Sequence, residues 1–104
     1  MTRQIEVPIG QWAFAATSER LAILCHQAAV SGITGTDPEQ FTAAARHLAT
    51  QPLDAPGILL IPSRLHDFLL GVIAGLGYTT VVHQAGPGTP IDAPMFVKPL
   101  SEGV

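Results

Sequence analysis

The chain has 104 residues, 47% of them hydrophobic and 12% charged, with 5 Lys plus Arg against 8 Asp plus Glu and a formal net charge of −3. Globular chains average about 25% charged residues, so few solvating side chains cover this surface and an ordinary soluble monomer is disfavoured. With no cluster of Lys or Arg, the chain lacks the electrostatic footprint for nucleic acid or an anionic membrane, and its hydrophobic content excludes disorder.

The N-terminus, Met1-Thr2-Arg3-Gln4, leads directly into alternating residues instead of an apolar signal core, so a cytoplasmic location is expected. Ile5, Val7 and Ile9 alternate with Gln4, Glu6 and Pro8, the period of a half-buried strand, and Pro8 places that strand at a sheet edge. Trp12 and Phe14 resume the alternation after Gly10-Gln11. Glycine at the first central position suits a two-residue hairpin turn; a bent strand running directly into the first helix is the other reading.

Thr17 or Ser18 can cap a helix whose apolar stripe is Leu21, Leu24, Cys25, Ala28 and Ala29. Cys25 is the single cysteine, unable to staple the fold internally and consistent with a reducing compartment. Gly32 to Gly35 ends this helix, and Asp37-Pro38-Glu39-Gln40 opens the next with an N-cap, a first-position proline and the Asp-x-x-Gln form of a capping box. Phe41, Ala44, Ala45 and Leu48 form its buried face, and residues 51–57 make a turn-rich connector.

Ile58 to Ile61 is a continuous apolar run between Gly57 and Pro62, the pattern of a central strand covered on both faces. Ser63 is expected to cap the following helix, with Leu65, Phe68, Leu69, Val72, Ile73 and Leu76 as its stripe. Gly71, Ala74 and Gly75 lie on its other side, where another backbone can approach, so this helix is expected to be sandwiched, and Gly77 stops it. The apolar stretch from Phe68 to Val82 is short of the roughly 18 residues of a membrane span. Residues 79–82 read as a strand in β-α-β relation to residues 58–61. Residues 84–94 read as a loop, and Met95 to Lys98 as a closing strand antiparallel to the preceding one.

The expected fold is therefore one α/β (α+β) domain over residues 1–104, a single small mixed sheet of about four or five strands with about three helices, in the order β-(β)-α-α-β-α-β-β.

Chemistry is best sought at Ser63-Arg64-Leu65-His66-Asp67, because ligands of open α/β sheets gather where strands lead into helices. A helix start with Arg64 beside it favours an anion. Adjacent His66 and Asp67 point about 100° apart on a helix, which argues against a catalytic triad. Cys25 lies on the apolar stripe and His26 off it, which favours a structural cysteine. His26, His47, His66 and His83 show no metal-binding spacing. The segment Gly32 to Asp37 lacks both the Lys-Ser/Thr of a P-loop and the three-glycine dinucleotide pattern, so it reads as a helix stop and a new cap.

A strand at Ile58 to Ile61, a helix ending in Leu76-Gly77-Tyr78, a strand at Thr79 to His83 and a last strand Phe96-Val97-Lys98-Pro99-Leu100 together resemble the closing part of GNAT-type N-acetyltransferases. The resemblance covers residues 57–100. That family's Gln/Arg-x-x-Gly-x-Gly/Ala motif for acetyl-CoA has only Gly32 as a counterpart, in Ala29 to Thr34, and Ile73 stands where many members carry a tyrosine general acid. The resemblance thus implies a fold and carries over no catalytic residue.

These readings lead to a small non-catalytic binding module that acts through self-association and a protein partner, with Trp12 and Phe14 as its exposed interface near an edge strand. Neither a cofactor nor a metal is expected. The alternative is an anionic-ligand-binding or degenerate acyltransferase-like protein using Ser63, Arg64, His66 and Asp67.

Overall fold

The alternating N-terminal residues form two strands that belong to different sheets. In the computed structural model, which describes residues 3–79, 82–83 and 85–99, β1 (Arg3–Glu6) pairs antiparallel with β5 (Pro90–Ala93), Ile5 opposite Ile91. β2 (Gln11–Thr17) enters a four-stranded sheet, so the expected hairpin does not form. The reason lies in the turn between them. Gln11 N–H donates to the Pro8 carbonyl at 3.1 Å, and Gly10 holds a φ of 90° as the second central residue, not the first. A positive φ there is type II geometry, which splays flanking strands where a hairpin turn would pair them.

The larger sheet has the order β4-β2-β3-β6, with β3 (Pro56–Pro62), β4 (Val82–His83) and β6 (Phe96–Val97). β2 and β3 form its spine, an antiparallel ladder from Gln11 opposite Pro62 to Thr17 opposite Pro56. β4 is antiparallel to β2, and β6 is parallel to β3. This corrects two expectations. β3 and β4 run in the same direction but β2 lies between them, and β6 runs parallel to its neighbour β3 at the far edge. The long β2 ladder occupies the place that a direct β-α-β pairing would need. Residues 90–93, expected within a loop, form β5; Ala93 is buried, and Pro90 stands at the strand's first position, where its missing N–H is tolerated. Thr80, Val81 and Leu100 of the expected strands lie outside the described residues.

Three α-helices complete a mixed α+β fold in the expected element order: α1 (Ser18–Ala29), α2 (Pro38–Ala49) and α3 (His66–Gly75). Thr17 caps α1, its Oγ1 accepting from Arg20 N–H at 3.4 Å, while the buried Ser18 hydroxyl donates to the Ala55 carbonyl at 3.2 Å. Asp37 caps α2, its Oδ1 accepting from the N–H groups of Glu39 and Gln40 at 3.1 and 3.4 Å. The reciprocal half of the capping box is not made, since Gln40 Oε1 has no hydrogen-bond partner. At the end of α3, Gly77 adopts a φ of 75°. Its N–H donates to Ala74 and that of Tyr78 to Ile73, the pair of bonds that defines a Schellman stop.

As expected for a central strand, β3 is covered on both faces. Leu59 and Ile61, with Phe14 of β2, join Leu21, Leu24, Phe41, Leu48, Leu65 and Leu69 in the core beneath the helices. Ile58 and Leu60, with Ala13, pack on the opposite face against Ala93 of β5 and Val7, which directly follows β1. The layers are therefore helices, four-stranded sheet and β1–β5 ribbon. No helix among the described residues is long and apolar enough to cross a membrane.

Candidate functional site

The strand-to-helix corner is built at the end of β3. The β2–β3 ladder delivers the chain to Pro62, and Ser63 N–H donates to the Gly10 carbonyl at 2.9 Å. A 3₁₀ turn, Ser63–Leu65, then intervenes before α3. That turn moves the N-cap position of α3 to Leu65, and neither the turn nor the helix has a side-chain cap. Ser63 is thus exposed and is not the cap the sequence led us to expect.

Arg64 reaches across to the loop between α1 and α2, its Nη2 donating to the Gly35 carbonyl at 2.8 Å. The guanidinium lies so close that a Cβ on Gly35 would sit 2.8 Å from Nη2, and the φ of 88° there also requires glycine. The Gly32 to Asp37 segment is therefore a helix stop, a brace for Arg64 and a new cap.

His66 stacks on Trp12, with centroids 4.9 Å apart and planes at 30°, and meets Phe14 edge-on at 6.0 Å. Its Nδ1 lies 3.3 Å from Asp67 Oδ1, so the two side chains do meet although their Cβ directions diverge; the fully exposed Asp67 carboxylate reaches back to the ring. The other ring nitrogen, Nε2, is shielded from solvent. The ring thus packs against both aromatic side chains, with Nδ1 on the Asp67 side.

The remaining sequence candidates fall apart spatially or chemically. Phe14 is fully buried and Trp12 half-buried, and β2 is an internal strand, which corrects the expectation of an exposed aromatic pair beside an edge. Cys25 is fully buried and desolvation pushes its thiol up to about 12, so the thiolate that nucleophilic chemistry needs does not form near neutral pH. His26 is exposed on another side of α1. Among the described residues, no group of three or more His, Cys, Asp or Glu side chains comes together to hold a metal ion.

The feature that sequence reasoning placed inside the protein is on its surface. Leu69 and Ile73 bury one side of α3, continued by Leu65 of the turn before it, but Gly71, Ala74 and Gly75 are exposed and Leu70 is 41% exposed. At 100° per residue, Leu70, Gly71, Ala74 and Gly75 span roughly 140° of the helix surface. Leu76, 49% exposed, follows where the helix ends. Among the described residues, nothing lies within 4 Å of a Cβ built on Gly71 or Gly75. The sequence signal was present in part, because residues 68–78 contain no charged side chain. A scan against protein-family models, a search of curated proteins and a search of solved structures each find no match to this chain.

Proposed function

We propose that this protein is a non-catalytic binding module that associates with a second copy of itself through the outer side of α3. The observation that carries the reading is the pair of glycines on that exposed side. Glycine inside a helix costs about 1 kcal/mol relative to alanine, and among the described residues no neighbour uses the space that Gly71 and Gly75 leave. A second backbone approaching closely would use it. Exposed apolar residues elsewhere, Ile9, Val30 and Leu53, are scattered singly and ask for no such account.

A second copy fits better than an unrelated partner because the strip is self-complementary. It offers a ridge at Leu70 and a shallow groove at Gly71, Ala74 and Gly75, and its nearest charge is Asp67 at one end. A two-fold antiparallel arrangement sets each ridge on the other copy's groove. It also keeps the two Asp67 carboxylates a helix length apart, about 15 Å for ten residues and beyond the screening distance of physiological salt. A strip about 15 Å long buries much less than the roughly 800 Å² per partner of a standard interface. The association is accordingly weak and reversible, and a protein partner of similar apolar character would compete for the same surface.

The test is sedimentation velocity over a concentration series reaching high micromolar. The expected result is reversible dimerisation that Leu70→Glu abolishes while the circular dichroism spectrum and melting temperature stay those of the unmodified chain. A chain that remains strictly monomeric over the whole series would refute the reading.

A further inference from the structure

A second surface feature lies away from α3, where α2 faces the far edge of the sheet. Gln40, Ala43, Ala44 and His47 follow the i, i+3, i+4, i+7 spacing of one helix face. Opposite them stand Phe96 and Val97 of β6, and Lys98 just beyond it. Between them is an open, solvent-facing cleft of about 330 Å³, within the volume range of small-molecule sites. The two alanines make the room. They are the smallest side chains on that face, and they sit between the longer Gln40 and His47.

The chemistry of the walls is unbalanced in one direction. Lys98 is the sole lysine of a chain with more acids than bases, and among the described residues the lining contains no Asp or Glu. The lining divides into an apolar part and a part that can donate to an anion. Lys98 supplies a formal positive charge, and His47 supplies an imidazole N–H. A ligand that satisfies both parts carries one anionic group on a compact apolar body.

We infer that the cavity between α2 and β6 binds small monocarboxylates, the carboxylate against Lys98 and His47 and the hydrocarbon against Ala43, Ala44, Phe96 and Val97. A planar carboxylate with one short alkyl or aryl body matches the single lysine and the apolar wall. A polyanion would meet too few cations. This site is independent of the α3 strip, shares no residue with it, and does not require self-association.

The experiment is a titration of the ¹⁵N-labelled protein with hexanoate, and in parallel with hexanol as its uncharged counterpart. Saturable chemical-shift changes are expected at residues 40–47 and 96–98. Hexanol binding is expected to be weaker by about tenfold or more, the weight of one charge-assisted hydrogen bond. Lys98→Gln should weaken hexanoate to the same degree and Lys98→Arg should largely restore it. Ala43→Leu, a change at an exposed helix position, should fill the cavity and remove binding with the spectrum otherwise intact. Equal affinity for hexanol, indifference to Lys98→Gln, or shifts confined to other parts of the molecule would each overturn the proposal. Leu70→Glu should bind hexanoate as the unmodified chain does, which separates failure of this inference from failure of the dimer.

Discussion

α1 and α2 each begin on a side-chain cap and bury an amphipathic stripe, whereas α3 begins without one and leaves one side of an almost wholly apolar helix in solvent. The first pair is made stable inside the chain. Thr17 and Asp37 satisfy orphan N–H groups, Leu21, Leu24, Phe41 and Leu48 meet in the core, and polar residues face water. α3 is anchored by Leu65, Leu69, Ile73 and the Schellman stop at Gly77, and by Arg20 of α1, whose guanidinium lies 4.7 Å from the Tyr78 ring centroid. On its outer side Gly71, Ala74 and Gly75 are exposed and Leu70 is only partly covered among the described residues. The contrast teaches that an apolar sequence does not by itself place every side of a helix in the core of its own chain.

The largest effect is expected where α1 and α2 meet over the sheet. Phe41→Ala removes a fully buried ring and should cost about 3–5 kcal/mol in urea unfolding. Leu70→Ala on α3 should cost less than 1 kcal/mol. If the two substitutions cost the same, the outer side of α3 would be part of the core and the contrast would fail.

Cys25 on the α1 stripe gives a pH-dependent version of the same test. Its thiol stays protonated in the folded state to about 12, while in the unfolded chain it ionises around 9.0. The folded state therefore binds more protons between those values. Stability from this group is fully present below pH 9 and is lost as pH rises towards 12, by at most about 1.4 kcal/mol per pH unit. Unfolding measured on either side of pH 9 should show this slope, and Cys25→Ala should lack it.

The helix starts come next in size. Asp37→Ala should destabilise by about 1 kcal/mol through loss of the two capping bonds. Ser63→Ala should change stability by less than about 0.5 kcal/mol, because Ser63 is exposed and caps nothing. Equal costs would show that Ser63 caps α3 in solution.

These cases also mark what the sequence made legible. Asp37-Pro38 and the stripes of α1 and α2 could be read because cap and periodicity agree over one short window. The run Ile58 to Ile61 announced burial on both faces, and the structure supplies helices on one and the ribbon on the other. What could not be read is set by long-range pairing. Nothing local in residues 3–6 names residues 90–93 as their partner, and the insertion of β2 between β3 and β4 is decided by a seven-residue ladder against β3. At the candidate site, Ser63 misled because a 3₁₀ turn displaces the cap, and Arg64 because its guanidinium already braces Gly35. Gly71, Ala74 and Gly75 read as a place of close approach, and the structure leaves that place exposed.

Gly71→Ala has the smallest expected effect on the fold and the sharpest bearing on the contrast. Gly71 lies inside α3, has no positive φ, and a Cβ there meets nothing within 4 Å among the described residues. Within the isolated chain, alanine should therefore raise stability by roughly 0.5–1 kcal/mol, because it removes the helix-propensity cost of glycine. Between copies, the same methyl group would stand in the groove that receives Leu70 of the second molecule and should weaken dimerisation. One substitution thus moves the two measurements in opposite directions, with a higher unfolding midpoint in dilute solution and a dissociation curve shifted to higher concentration. A higher unfolding midpoint together with tighter dimerisation would mean that the surface is merely apolar, and that the glycines are not there for a close-packed partner.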